Sequence, residues 1–197
     1  MNLPNRLTLF RIILIPLIVL LYLFPYAQVG IEVPSYMVAG VSISLINMIN
    51  LVIYIIAAIT DAIDGHYARK HHMITTFGKF ADPIADKLLT TTMFLLFLSR
   101  GIIPVIPVIL MIARDTVVDG ARMIASSNGK VVAAGMMGKL KTVLQMVTVA
   151  LIQLNNLPFE ILHLPISLVL LWLAAFVSVL SGIQYLNQLK EDIFETI

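Results

Sequence analysis

The chain contains no cysteine, which excludes disulfides, thiolate metal sites and a cysteine nucleophile together. Charge is scarce as well. Asp, Glu, Lys and Arg make up 12% of the 197 residues against 59% hydrophobic ones, and the mean hydropathy is +0.97. A soluble domain carries about a quarter charged residues, so the sequence reads as an integral membrane protein. It has no internal repeat and no low-complexity tract. No basic block carries the interleaved aromatics of a single-stranded nucleic-acid surface, and no nucleic-acid partner is expected.

What is there is a series of long apolar runs. Segments near 7–24, 37–60, 80–99, 102–124, 143–157 and 165–187 are each long enough, or nearly so, to cross about 30 Å of hydrocarbon as helices. The expected fold is all-α, a polytopic membrane protein with six transmembrane helices in one domain over 1–197. Arg11 interrupts the first run and no small-residue cleavage site follows, so that run is read as a retained helix rather than a signal peptide.

The loops at 25–36 and 154–165 lack Lys and Arg altogether. With six helices threaded, Arg6, Arg11, Arg69, Lys70, Lys79, Lys87, Arg114, Arg122, Lys130, Lys139, Lys141 and Lys190 fall on or near one side, and Arg100 alone opposes them. The positive-inside rule then places both termini on the cytoplasmic side of the cell membrane.

The same side carries four carboxylates within a short stretch: Asp61, Asp64, Asp82 and Asp86. An acid at the bilayer centre costs about 2.5–3.5 kcal/mol on insertion scales, so such a cluster needs an interface or cations. Asp61 and Asp64 are i, i+3 partners, and Asp82 and Asp86 are i, i+4 partners, so each pair shares a helix face. Antiparallel packing of the two helices brings together enough oxygens for two hard cations, magnesium or manganese. Gly65 and Ala68 leave room for a ligand beside the carboxylates, Arg69 offers a planar guanidinium for phosphate, and Thr75 supplies a hydroxyl. His66, His71, His72 and His163 lack complementary ligand spacing and read as polar loop residues.

The order Asp61-x2-Asp64-Gly65-x2-Ala68-Arg69-x8-Gly78-x3-Asp82-x3-Asp86 resembles the signature of the CDP-alcohol phosphatidyltransferases, with no position missing. The resemblance implies a six-helix membrane enzyme, usually a homodimer, whose two-metal site opens to the cytoplasm and inner leaflet. It makes Asp61, Asp64, Asp82 and Asp86 the metal ligands and Asp86 also the catalytic base. Gly65, Ala68, Arg69 and Thr75 would line the site for the CDP-linked lipid, joined by Asn5 and Thr8, for which capping of the first helix is the plainer alternative.

A second polar region runs from Arg114 to Lys141. Arg114 or Arg122, with Lys139 and Lys141, could form a cationic pocket for the phosphate of an acceptor; the bland alternative is ion pairing along a helix, as between Asp119 and Arg122. The resemblance extends to family members that use glycerol 3-phosphate. It rests on Asn2-Leu3-Pro4-Asn5-x-Leu7-Thr8-x2-Arg11-Ile12, on Arg114-Asp115-x3-Asp119-Gly120-x-Arg122, and on Ala133-Ala134-Gly135-x2-Gly138-Lys139-x-Lys141-Thr142. It implies CDP-diacylglycerol and glycerol 3-phosphate as substrates, with phosphatidylglycerophosphate and CMP as products. Asp119 departs from the small hydroxyl residue expected there. Two other readings stand beside this one: the same chemistry with inositol phosphate or serine as acceptor, and a divalent-cation transporter.

Overall fold

α1 (Leu3–Leu23) starts where a cap can form. The Asn2 side chain accepts the amide of Asn5 at 3.2 Å, and Pro4 sits in the first turn, where its missing N–H costs no hydrogen bond. A computed structural model describes the chain over residues 2–70, 75–127 and 135–190, apart from the side chains of 62, 64, 66–70, 76 and 79. After α1 come a 3₁₀ turn at Tyr26–Val29 and a two-stranded antiparallel hairpin, β1 (Ser35–Val38) and β2 (Val41–Ser44), in which Ser35 faces Ser44 and Val38 faces Val41. The remaining helices are α2 (Leu45–Lys70), α3 (Thr76–Ser99), α4 (Val105–Ser127), α5 (Met136–Gln153) and α6 (Ile166–Gln188).

The six expected helices are therefore present, and about 80% of the described residues are helical. Among the described residues, α1 and α6 are long and apolar enough to cross a membrane, and Leu45–Asp61 forms a shorter apolar helix segment. The hairpin corrects the expected start of the second span at 37. Ala39 and Gly40 adopt φ of 51° and 82°, the paired left-handed conformation of a two-residue hairpin turn. Val41, Ser42, Ile43 and Ser44 then alternate as a strand does, so the helix begins at Leu45. His66 is likewise in α2 rather than in a loop. His163 is in a left-handed loop position after a second 3₁₀ turn at Phe159–Leu162, and His71 and His72 lie outside the described residues.

The chain divides into two compact units. In the first, Met1–Arg100 with Val149–Leu164, α1 packs on both α2 and α3. Ile18, Tyr22, Ala57, Ala85, Leu89, Met93 and Phe97 are buried there. Arg100, the cation that opposes the charge pattern, donates to the Tyr22 carbonyl and lies 3.9 Å from the centre of the Tyr22 ring, so its charge is met within the unit. In the second unit, Gly101–Thr148 with Pro165–Ile197, α4 packs on α6 around Val118, Ala121, Ala125, Tyr185 and Leu189.

Candidate active site

The first unit joins the amino-terminal motif to the acidic one. Thr75 caps α3 by accepting the Gly78 amide at 3.0 Å and donates its own hydroxyl to Asn5 Oδ1 at 2.9 Å, so the starts of α1 and α3 are tied side chain to side chain. One turn along α1, the buried Thr8 hydroxyl lies within reach of the Pro4 carbonyl, at 3.1 Å, and of Asp82 Oδ1. A single proton serves both, and the carboxylate is the stronger acceptor. Gly78 is buried among these groups: a Cβ there would stand 3.3 Å from both Asn5 Oδ1 and Thr75 Oγ1 and 3.6 Å from Asp82 Oδ2. That crowding gives the glycine of the signature a physical reason.

A further turn along α1 stands Arg11. Its side chain is wholly buried, and Nη1 lies 2.5 Å from Asp61 Oδ1, whose side chain is 36% exposed. Sequence reasoning assigned Arg11 no partner; the signal for one was its place inside an apolar run, because a cation at that depth requires an anionic partner. Thr8 and Arg11, i and i+3 on α1, thus address one carboxylate on α3 and one on α2.

Asp86 follows Asp82 by one turn of α3 and is half-buried. Gly65 is on α2 and partly exposed. Asp64, Ala68 and Arg69 also belong to α2, with side chains outside the described residues. Among the described residues no three His, Asp or Glu side chains gather into a metal-holding group. The chemistry of the candidate ligands nonetheless fits a hard divalent cation, since they are carboxylate oxygens on two helices in contact, with a hydroxyl at Asp82 and no sulfur.

The second unit holds all four basic candidates and brings two of them, Arg114 and Lys141, together on one carboxylate. Lys141, 6% exposed, places Nζ 2.5 and 2.7 Å from the two oxygens of Asp115, and Arg114 donates from Nη1 to Asp115 at 2.8 Å. Asp115 therefore holds two cations of like charge side by side. Sequence reasoning paired Asp119 with Arg122 and missed this role of Asp115, which links α4 to α5 across 26 positions. Arg122 donates from Nε to the Tyr185 hydroxyl at 3.1 Å. Lys139 is exposed on α5 and is not drawn into the Asp115 cluster.

Comparisons with known proteins agree in kind. A family model described as CDP-alcohol phosphatidyltransferase matches residues 1–180. A Bacillus subtilis protein named CDP-diacylglycerol–glycerol-3-phosphate 3-phosphatidyltransferase is 40% identical over 187 residues, covering 95% of this chain and 94% of its own. Proteins of the same name from Rickettsia typhi and Salmonella choleraesuis are 34% and 33% identical, covering 96% and 98% of this chain and 97% and 98% of theirs.

Proposed function

The chain belongs to the CDP-alcohol phosphatidyltransferase family, and on that premise we propose that it transfers the phosphatidyl group of CDP-diacylglycerol to glycerol 3-phosphate, releasing CMP and forming phosphatidylglycerophosphate. Similarity to relatives named for this reaction over nearly the whole chain supports the choice of substrates. The observation that carries the site is the joining of two motifs about seventy residues apart, through Thr8 with Asp82 and Thr75 with Asn5.

The protein is a membrane enzyme, consistent with its two long apolar helices and its family. In our reading it is a homodimer, each chain one catalytic domain with six spans, and the acidic cluster faces the cytoplasm. The family is in general divalent-cation dependent. Asp61, Asp64, Asp82 and Asp86 are the residues that would hold two Mg²⁺ or Mn²⁺ ions, which when bound neutralise the pyrophosphate.

The chain's own residues do the rest. Asn5, Thr8, Gly65, Ala68, Arg69 and Thr75 hold the cytidine diphosphate, while Arg114, Arg122, Lys139 and Lys141 hold the acceptor's phosphate. Asp86 takes the proton of the acceptor hydroxyl. That oxygen forms the new bond to the phosphatidyl phosphorus, the pyrophosphate P–O bond breaks, and CMP leaves. A carboxylate is a weak base for an alcohol, so orientation and charge neutralisation supply most of the acceleration.

CMP release tests this with CDP-diacylglycerol and magnesium, and with glycerol 3-phosphate, inositol phosphate or serine in parallel. Release with glycerol 3-phosphate alone is expected. Release only with another acceptor overturns the acceptor assignment, and none with any acceptor overturns the enzyme. Thr8→Val, which keeps the shape of a wholly buried residue and removes its hydroxyl, should raise KM for CDP-diacylglycerol about ten- to hundredfold, as expected for losing a hydrogen bond to a charged group worth about 1.5–3 kcal/mol. Helix content by circular dichroism should not change, and an unaltered KM would remove Thr8 from the site.

A further inference from the structure

The sequence of α6 reads as apolar, yet one face of it carries Ser178, Ser181, Gly182 and Tyr185, at i, i+3, i+4 and i+7, and all four are buried. Three of them meet the arginines of α4. A Cβ at Gly182 would stand 2.8 Å from Arg114 Cγ and 3.5 Å from its Nε. The first distance is shorter than Cβ contacts allow, and Cγ lies so near the backbone that the arginine could clear it only by moving its whole stem. Ser181 Oγ accepts from Arg114 Nη2 at 2.7 Å. With Nη1 fixed on Asp115 at 2.8 Å, each terminal nitrogen has its own partner. Farther along, Tyr185 accepts from Arg122 Nε and places its ring 5.0 Å from that guanidinium.

Packing alone accounts for small residues between membrane helices. It does not account for a missing Cβ, a serine hydroxyl and a phenol that all converge on the two arginines of α4. We propose that α6 is the positioning element of the acceptor-phosphate pocket: Gly182 admits the stem of Arg114, Ser181 orients its guanidinium, and Tyr185 orients that of Arg122. This rests on the reading of Arg114 and Arg122 as phosphate ligands. The α6 residues touch the arginines rather than the reacting atoms, so they set the affinity for the phosphorylated acceptor and not the rate of the chemical step.

The test is a kinetic split on the full-length protein in lipid vesicles, varying glycerol 3-phosphate at saturating CDP-diacylglycerol. Ser181→Ala is expected to raise KM for glycerol 3-phosphate about tenfold, the scale of one lost hydrogen bond to a charged group, and Gly182→Ala, which pushes the Arg114 stem aside, at least as much, with kcat and KM for CDP-diacylglycerol unmoved. Ser181→Thr, which keeps the hydroxyl, should recover most of the loss. Arg114→Ala serves as the reference. If it leaves KM for glycerol 3-phosphate unchanged, the pocket itself is misassigned. If it raises KM while Gly182→Ala and Ser181→Ala do not, the pocket stands and the positioning role of α6 is overturned. A loss confined to kcat, or shared equally by both substrates, also overturns it. Should Gly182→Ala fail to fold, the Ser181→Ala and Ser181→Thr pair decides the question alone.

Discussion

Replacing Asp86 by Asn will abolish turnover, with kcat falling by about three orders of magnitude or more, while binding of CDP-diacylglycerol survives. General-base catalysis contributes about 10²- to 10⁴-fold, and Asp86 also belongs to the proposed metal set, so the two losses fall on one side chain. Asn keeps the shape of the half-buried residue but removes the negative charge and replaces one accepting oxygen with a donor amide. In the proposed site the lipid substrate is held by Asn5, Thr8 and Thr75, which sit at the starts of α1 and α3 and are not altered by the substitution. Single-turnover CMP release and equilibrium binding of CDP-diacylglycerol separate the two effects. Turnover within about tenfold of the parent protein would remove Asp86 from the base role.

The second large effect belongs to Asp61, and it is expected in stability as well as activity. Asp61→Ala takes a carboxylate away from the wholly buried Arg11 guanidinium. Breaking a buried ion pair from one side costs about 3–5 kcal/mol, and because Asp61 is 36% exposed the expected loss is about 3 kcal/mol, the low end of that range. The thermal midpoint in detergent should fall by several degrees, and metal-stimulated CMP release should vanish. Arg11→Met added to Asp61→Ala removes the stranded charge while keeping an unbranched stem, so the double variant should regain most of the lost midpoint and none of the activity. If the double variant is no more stable than Asp61→Ala alone, the ion pair is not what holds α1 to α2 at this point. If Asp61→Ala retains full activity, Asp61 is not a ligand.

The helical placement of the acidic residues was legible in the sequence because it lies in local spacing: Asp61 falls on α2 and Asp82 and Asp86 on α3, helices expected from the apolar runs. The hairpin before α2 was not, since a run of apolar and β-branched residues reads alike as strand or helix. Only the Ala39-Gly40 turn, with its two left-handed residues, separates the alternatives. Partnerships between distant helices were also hidden. Nothing in the periodicity of α1 says that Thr8 will meet Asp82 or that Arg11 will meet Asp61, although a buried cation in an apolar run demands some anion. The same holds for Asp115, whose partner Lys141 is on another helix, and for α6, whose serines and glycine pass unnoticed among leucines until Arg114 is seen lying across them.

The central claim is tested most directly by following the acceptor atoms. Glycerol 3-phosphate labelled on its carbon should pass into chloroform-soluble lipid only when CDP-diacylglycerol and a divalent cation are present, mole for mole with CMP released. The lipid should carry a phosphomonoester that a phosphatase removes. Labelled lipid formed without CMP release, or CMP released while the label stays in the aqueous phase, would contradict the account.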